Sequence, residues 1–361
     1  MLAQMRVTVC TEDHRERFDA AVAASPRADV LQSWEWGEVK AATGWDPLRL
    51  LIEDEQGRAR AACSVLRLTP VRGVPPLLYA PRGPVVAEGD GGALRALLDE
   101  IRRRAGNAFL FKCDPPAEPG AWPAGALEAA GLRHVSGGAF GGVQPVAVMV
   151  LDLTPGPDQV LAGFKSKWRY NVRLADRKGV VVREGDRDDL AGFHAIYLET
   201  AKRDGFVGRG RSYFERLWDV LEPRGMLRMW VAEFDGSQIA SIICTMLGER
   251  VVYNYGASAN EHRNVMPNHL LQWTAIRWAA EKGFKVYDFR GVSPVRDGEP
   301  VDDHLAGLNR FKEGFGATYV EYAGEFDLAL RNGWYAIWRA AAPSAIKVRA
   351  RLAGRGPEAA D

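Results

Sequence analysis

An internal repeat constrains the fold of this chain more than any other feature of its sequence. The segment 48–57, LRLLIEDEQG, is matched without a gap by the segment 227–236, LRMWVAEFDG, so the offset is 179 residues at both ends. Each segment predicts a strand that closes in an acidic-glycine turn and leads into a second strand, over 59–68 or 238–247. The same strand hairpin is therefore expected twice.

The match continues beyond the hairpin in the same order. The next matched elements are apolar strands over 77–80 and 251–256, and amphipathic helices over 92–104 and 268–283. Each helix leads to a short strand that ends in an aspartate, Asp114 or Asp288. Because a helical crossover joins parallel strands, the strands before and after each helix are expected to be parallel neighbours.

The repeat predicts two domains of mixed α/β (α+β) class, each a mixed sheet flanked by helices. Two helices are expected before each hairpin, at 16–24 and 34–43 and at 188–202 and 212–221. We predict a first domain over 1–153, completed by the C-terminal segment 324–361, and a second domain over 154–323. Pro155-Gly156-Pro157 is the expected hinge. A chain of 361 residues, 47% of them hydrophobic, is long enough for two cores.

Composition excludes several functional classes. The net charge is +1, so binding to nucleic acid requires a local basic patch. The four cysteines lie far apart and form no C-x-x-C pair, which predicts a reducing compartment without disulfides. We find no metal-ligand spacing among the six histidines and no phosphate-binding glycine motif, so neither metal nor cofactor is expected. Without an apolar leader or span, the protein is expected to be cytoplasmic.

The stretch 308–317, LNRFKEGFGA, places a cation between aromatic rings and glycines. Lys312 lies between Phe311 and Phe315, and a lysine flanked by apolar rings is partly desolvated, so its charge acts strongly on a nearby anion. One interpretation is that Lys312 meets the developing negative charge of an acyl transfer. The other is a lysine on a strand edge whose ammonium reaches water. The residues alone leave both open.

A strand hairpin, a long strand, a loop, a helix and a strand, in this order, resemble the core of the GNAT acyltransferase fold. In members that use acetyl-coenzyme A, backbone N–H groups of a glycine-bearing loop before the helix hold the pyrophosphate. The corresponding loops here are 81–85, with two prolines, and 261–267, without glycine. A coenzyme A donor is therefore not expected, although the fold favours acyl transfer.

A doubled GNAT-like fold without the coenzyme loop resembles the Fem transferases (FemX, FemA and FemB type), which build the interpeptide bridges of bacterial peptidoglycan. The resemblance covers nearly the whole chain. It is carried by five segments in the family's order: 32–40 with 44–47, 79–85, 167–175 with 178–180, 311–316 and 322–327. FemA-type members carry a coiled-coil arm, and no sustained heptad pattern is present here, so the chain is similar to FemX.

The resemblance implies a non-ribosomal aminoacyl transfer that adds the first bridge residue. The donor would be an aminoacyl-tRNA, and the acceptor a side-chain amine on the stem peptide of UDP-MurNAc-pentapeptide or lipid II. A monomer is expected, and the basic segment 334–353 leaves open a peripheral contact with the inner membrane face. Two alternatives remain: a GNAT-type N-acyltransferase that uses acyl-coenzyme A, and a non-catalytic pair that binds RNA or a nucleotide sugar.

The resemblance also implies site residues. Lys312 corresponds to the family's lysine at the reacting carbonyl, Phe311 to the aromatic beside it, and Asp114 to a strand-end acid that binds the amine or accepts its proton. The residues implied in acceptor binding are Lys40, Trp45, Phe109, Arg209, Arg211, Tyr213 and Tyr255. The candidate tRNA contacts are the cations of a basic run, Lys165, Lys167, Arg169 and Arg173. Core packing is the alternative for the aromatics, and a solvated helix face for the cations.

Overall fold

The computed structural model of the chain describes residues 5–70, 73–135 and 142–341. The predicted basic tail therefore lies outside the described residues from residue 342 onward, as does the end of the segment predicted to complete the first domain. Within the described residues the chain forms two compact units. The first comprises 5–148, 291–306 and 320–341, and the second comprises 149–290 and 307–319. The predicted boundaries at 153/154 and 323/324 stay a proposal about independently folding domains.

Strands and helices alternate as a mixed α/β fold, which confirms the predicted class. The strands are β1 (Arg6–Val9), β2 (Trp45–Glu53), β3 (Ala59–Leu68), β4 (Leu77–Ala80), β5 (Val85–Val86), β6 (Leu110–Cys113), β7 (Arg133–Val135), β8 (Ala147–Asp152), β9 (Val181–Glu184), β10 (Leu227–Phe234), β11 (Ser237–Leu247), β12 (Arg250–Ser258), β13 (Val286–Gly291), β14 (Val295–Arg296), β15 (Glu299–Pro300), β16 (Thr318–Glu321) and β17 (Glu325–Ala329). The helices are α1 (Arg15–Ala23), α2 (Trp34–Ala41), α3 (Gly91–Arg104), α4 (Ala124–Ala129), α5 (Pro157–Gly163), α6 (Ser166–Arg177), α7 (Leu190–Asp204), α8 (Arg211–Leu221), α9 (Pro267–Glu281) and α10 (Ala306–Glu313), and residues 332–341 are also helical.

Each unit is built on one large sheet. The first sheet has the order β1-β2-β3-β4-β6-β17-β7, with β5 paired to β3, and the second has the order β16-β8-β13-β12-β11-β10-β9. In both sheets the strand before the crossover helix lies parallel to the strand after it, β4 beside β6 and β12 beside β13. The predicted parallel neighbours are confirmed in both copies.

The two hairpins share their irregularities as well as their strands. Both have a register shift close to the turn, between Ile52 and Glu53 in the first copy and between Ala232 and Glu233 in the second. The glycine that ends each repeat has a positive φ, 74° at Gly57 and 73° at Gly236. Left-handed backbone favours glycine, so the repeated acidic-glycine sequence is required by the turn itself.

Helix α3 illustrates how the sequence builds these layers. Asp90 caps its start, because the Oδ1 atom accepts a hydrogen bond of 2.9 Å from the backbone N–H of Ala93. Its apolar residues recur at helical spacing and are buried in the first core, as Leu94, Leu97, Leu98 and Ile101. Three arginines occupy the last turn, where positive charge is favourable.

Candidate functional site

Lys312 is a buried cation in the last turn of α10. Its side chain is 3% exposed, which makes the alternative of a lysine on a strand edge wrong. The helix ends directly after it, where Gly314 and Gly316 follow, and Gly316 has a φ of 76°. The glycines therefore turn the chain immediately after the lysine, as expected from the bends that this pattern predicts.

Burial changes the acidity of this lysine. It lowers the pKa of Lys312 from 10.5 to about 7, while the nearby carboxylate of Asp288 acts to raise the pKa and the charge of Arg290 acts to lower it. The Nζ atom lies 6.0 Å from the ring centre of Tyr253. A lysine that titrates close to neutral pH can stabilise an oxyanion as a cation and can accept a proton as an amine.

A buried polar network surrounds Asp288. The predicted strand end at this residue is wrong, because β13 runs from Val286 to Gly291; Asp288 is instead the last residue of β13 that pairs with β12. The Nη2 atom of Arg250 donates to its Oδ2 at 2.7 Å, and the backbone N–H of Arg290 donates to its Oδ1 at 2.6 Å. The Nε atom of Arg290 donates to Asn254 at 3.1 Å. Burial alone would raise the pKa of Asp288, but the two arginines outweigh it and hold the pKa below its usual range.

The sequence analysis assigned no function to Asp288, Arg250 or Arg290. The available signal was the repeat, which ends the strand after each helix in an aspartate. The sequence analysis used the two aspartates only to mark the predicted ends of strands. In the second copy the aspartate, together with Arg290, also sets the electrostatic environment of Lys312.

A second cluster in the same unit joins three of the predicted residues. The hydroxyls of Tyr213 and Tyr255 lie 2.7 Å apart, and the guanidinium of Arg209 lies 4.5 Å from the ring centre of Tyr213. Burial raises the pKa of Tyr213 well above 10, so this hydroxyl keeps its proton. Strand β12 carries both Tyr255 and Tyr253, and so links this cluster to the surroundings of Lys312.

The structure distinguishes the two arginines between which the sequence left a choice. Arg211 is exposed and donates to Glu215 one helical turn away, at 2.8 Å. Arg209 is partly buried against Tyr213. Because a stacked guanidinium is preorganised for forked hydrogen bonds, Arg209 is the better candidate for a phosphate ligand.

Asp114, the strand-end acid of the first copy, is 2% exposed. Its carboxylate accepts from the hydroxyl of Tyr79 at 2.6 Å and from the backbone N–H of Arg82 at 2.5 Å. Burial raises its pKa from 3.8 to about 6, although the charge of Arg82 and the two hydrogen bonds oppose that rise. One carboxylate oxygen therefore binds β4 at Tyr79, and the other fastens the loop after β4 at Arg82.

Of the three other predicted residues of the first unit, Lys40 and Trp45 lie side by side and Phe109 lies apart from them in the core. Lys40, at the end of α2, has its Nζ atom 5.5 Å from the ring centre of Trp45, at the start of β2. Phe109 is 1% exposed and packs against Trp338 with ring centres 5.8 Å apart. Phe109 precedes β6 and Asp114 follows it, so the two occupy opposite ends of that strand. The contacts of Phe109 are those of a core residue.

The basic run forms α6, and its cations differ in their contacts. The Nζ atom of Lys165 forms an ion pair of 2.9 Å with Glu313. The Nη1 atom of Arg169 donates to the carbonyl of Ala162 at 2.9 Å and to that of Phe164. Lys167 and Arg173 are exposed. The ring of Trp168 in the same helix packs against Gly314.

The loops before the crossover helices use their own backbone N–H groups. In the first copy Arg82 donates to Asp114 and Gly83 donates to the carbonyl of Ala80. In the second copy the N–H groups of Val265, Met266 and His269 donate to carbonyls of His262, Arg263 and Met266, and Pro267 has no N–H. Neither loop presents the row of donors that a pyrophosphate requires.

Two wider features bear on the site. Among the residues that the structure describes, no helix is long and apolar enough to cross a bilayer. The same described ranges hold no group of three or more side chains placed to bind a metal ion.

Comparison with known proteins gives two family matches. The model of the FemAB family matches residues 14–120, and that of the acetyltransferase (GNAT) domain matches residues 162–312. The two matches fall on different copies of the repeat.

Individual relatives match across both copies. A lipid II:glycine glycyltransferase of Staphylococcus aureus (strain MRSA252) is 27% identical over 93% of this chain and 96% of its own length. The crystal structure of FemX superposes with a TM-score of 0.82 and 26% identity, over 92% of this chain and 99% of that one. A tandem GNAT protein from the clavulanic acid biosynthesis pathway is 13% identical over 91% of this chain and 99% of its own, with a TM-score of 0.54, and so shares the fold.

Proposed function

Because the chain belongs to the FemAB family, we propose that it moves an amino acid from an aminoacyl-tRNA to a stem-peptide amine of a peptidoglycan precursor. The protein is an aminoacyltransferase with a GNAT-type fold. The proposed acceptor is UDP-MurNAc-pentapeptide or lipid II, and the proposed step is the first of interpeptide bridge formation. The proposed location is the cytoplasm, with a peripheral contact at the inner membrane face when the acceptor is lipid-linked.

The observation that carries this proposal is the extent of the similarity to a glycyltransferase. A likeness confined to one copy would support only a shared fold. Here the match to the lipid II:glycine glycyltransferase covers 93% of this chain, so it includes Asp114 in the first unit and Lys312 in the second.

Lys312 suits the electrostatic demand of the reaction. The acceptor amine attacks the ester carbonyl of the donor, and the carbonyl oxygen carries negative charge in the tetrahedral intermediate. The new C–N bond remains and the C–O bond to the terminal ribose of the tRNA breaks, while the amine loses one proton and the ribose oxygen gains one. A buried ammonium beside that oxygen is worth more than a solvated one, because little water screens it. Phe311, which precedes Lys312, is a partly buried aromatic that packs edge to face on the buried ring of Phe315.

Binding roles follow from the clusters within each unit. In the second unit Arg209, stacked on Tyr213, is the proposed phosphate ligand, and the hydroxyl of Tyr255 is a proposed hydrogen-bond partner of the acceptor. In the first unit Lys40 beside Trp45 offers a second cation. Asp114 is proposed to position the acceptor amine through the loop that it fastens.

The donor is proposed to be RNA-linked for two reasons. The loops before the crossover helices use backbone N–H groups within the loop, which does not favour the pyrophosphate of a coenzyme A donor. Lys167 and Arg173 are exposed cations of α6, and exposed cations suit contact with a phosphate backbone. Lys165 and Arg169 are weaker candidates because both already contact carboxylate or carbonyl oxygens.

Acyl transfer from acyl-coenzyme A is the competing function, since a GNAT model matches residues 162–312. The test incubates the protein with each acceptor and either a set of charged tRNAs or acetyl-coenzyme A. A mass gain of one aminoacyl residue on the acceptor, lost when the tRNA is deacylated, is the expected result. Transfer from acetyl-coenzyme A alone would overturn the proposal.

Lys312→Met tests the assigned role. We expect kcat to fall by about 10²–10³, with the affinity for the acceptor nearly unchanged, because the lost contact forms in the transition state. Arg310→Met is the matched control, since it removes an exposed cation from the same helix. Normal turnover in the Lys312 variant would remove this residue from the mechanism.

A further inference from the structure

The last turn of α10 is held by residues that come from α6 and the segment before it. The indole Nε1–H of Trp168 donates to the carbonyl of Phe311 at 3.0 Å. The backbone N–H of Lys165 donates to the carbonyl of Gly314 at 2.9 Å. The final carbonyls of a helix have no partner within the helix, so such external donors decide whether the last turn stays closed. Lys312 lies between these two fastened carbonyls.

Trp168 fits against α10 only because residue 314 has no side chain. A Cβ atom on Gly314 would lie 2.0 Å from the Trp168 ring, much closer than any atom can approach. Two residues later, Gly316 passes so near the backbone that its Cβ would lie 3.1 Å from the carbonyl oxygen of Gly163. The lack of a side chain at Gly314 and Gly316 therefore lets α6 and the end of α5 pack closely against the end of α10.

His269 completes the contact from α9. Its ring meets Trp168 at 5.5 Å and Phe311 at 5.4 Å between ring centres, both edge to face. Burial, helped by the charge of Lys167, lowers the pKa of His269 to about 4, so the ring is neutral at physiological pH. The charged groups that act on Lys312 are Asp288 and Arg290, and neither belongs to this aromatic contact.

We propose that Trp168 is a positioning residue for Lys312. Its indole N–H donates a hydrogen bond to the carbonyl of Phe311, and its ring fills the space beside Gly314. Both contacts hold the last turn of α10 in the conformation that buries Lys312. This inference rests on the proposed function for its chemistry, because positioning matters to the rate only if Lys312 acts in the transfer. The geometry of the contact is independent of that role.

Trp168→Phe tests the proposal, since it removes the N–H and the five-membered ring but keeps an aromatic side chain. We expect kcat to fall about tenfold with the KM for the acceptor changed less than about twofold, because a small displacement of a catalytic group costs rate. Water admitted to the loosened turn should also raise the titration midpoint of Lys312 above its wild-type value of about 7. A purely structural role would lower stability without moving that midpoint.

The midpoint is measured without activity, from the chemical shift of ¹³C-labelled lysine Cε atoms, with Lys312→Met to assign the signal. Gly314→Ala is the second variant, and it should move the midpoint in the same direction by displacing the Trp168 ring. Trp278→Phe is the matched control, a partly buried tryptophan in the same unit that packs on Trp230 with ring centres 5.2 Å apart. It should leave both midpoint and kcat unchanged.

Two outcomes separate this inference from the proposed function. An unchanged midpoint in both Trp168→Phe and Gly314→Ala overturns the positioning role, whatever the enzyme transfers. A shifted midpoint in a protein that transfers no amino acid from tRNA keeps the positioning of Lys312 and rejects the proposed reaction instead.

Discussion

Each copy places an aspartate where the parallel pairing of its sheet ends, and the pKa values of these two aspartates shift in opposite directions. Asp114 accepts hydrogen bonds from the hydroxyl of Tyr79 and the backbone N–H of Arg82, but burial outweighs them and raises its pKa to about 6. Asp288 receives the guanidinium of Arg250 and a backbone N–H, and its pKa falls below its usual range. The backbone arrangement is similar, because the parallel pairing ends at Asp288 in the second copy and at Cys113, directly before Asp114, in the first.

The difference shows that the balance between burial and nearby arginines sets the pKa of each aspartate. At Asp114 the hydroxyl of Tyr79 on β4 and the charge of Arg82 lower the pKa, but burial outweighs both. Arg250 on β12 keeps Asp288 charged, and a charged carboxylate is what a buried Lys312 needs nearby to remain partly protonated.

Removing Arg250, the arginine that donates to Asp288, should have the largest effect on stability. Arg250→Met leaves Asp288 buried without its guanidinium, and we expect the free energy of unfolding to fall by about 3–5 kcal/mol. Chemical denaturation measures this. The control Arg277→Met removes an exposed arginine that faces Glu281, for which a loss below about 0.5 kcal/mol is expected. Equal losses in the two variants would show that the stability of the fold does not depend on the ion pair between Arg250 and Asp288.

Lys312→Met should stabilise the protein although it lowers kcat. The folded-state pKa of about 7 lies below the unfolded value of 10.5, so the folded protein binds fewer protons between these values and gains stability as the pH rises from 7 to 10.5. Methionine removes the desolvation cost, and we expect a gain on the order of 2 kcal/mol at neutral pH. If titration of Lys312 is the cause, the free energy of unfolding of the variant should no longer rise between pH 7 and 10.5, as measured by chemical denaturation. A destabilised variant would contradict this account.

Tyr79→Phe removes the hydroxyl that distinguishes the first copy. We expect a loss of about 1–2 kcal/mol, because a buried carboxylate oxygen loses its donor. The pKa of Asp114 should rise above its present value of about 6, since the hydrogen bond from Tyr79 now lowers it. Carboxyl ¹³C titration measures the shift, and an unchanged Asp114 midpoint would count against the proposed pairing.

Asp114→Asn should have the smallest effect on stability, with a pH dependence opposite to that of Asp288. The pKa of Asp114 rises from 3.8 to about 6 on folding, so its contribution is present below pH 3.8 and lost as the pH increases through about 6. The wild type should therefore lose on the order of 1 kcal/mol relative to this variant between pH 4 and 6. Parallel denaturation curves across that range would show that the carboxyl does not titrate there.

Much of the fold could be predicted because it is encoded locally. The strand over 59–68 and the parallel pairing in each copy follow from periodicity and turn chemistry, and both are present as predicted. The network at Asp288 was not predicted, because its partners come from β12 and β13 and meet only in the folded sheet. Phe109 looked like a binding residue by position, and only its packing against Trp338 shows it in the core.

The sequence by itself determined that this protein has two copies of one α/β unit, that neither copy has a coenzyme loop, and that Lys312 lies among rings and glycines. These properties depend on residues close together in the chain, where hydrogen bonding and apolar spacing act directly. The tertiary structure decided that Lys312 is a helical residue 3% exposed, next to Asp288, and fastened by Trp168. Burial and long-range pairing set the pKa of a group, and both exist only once distant segments have packed together.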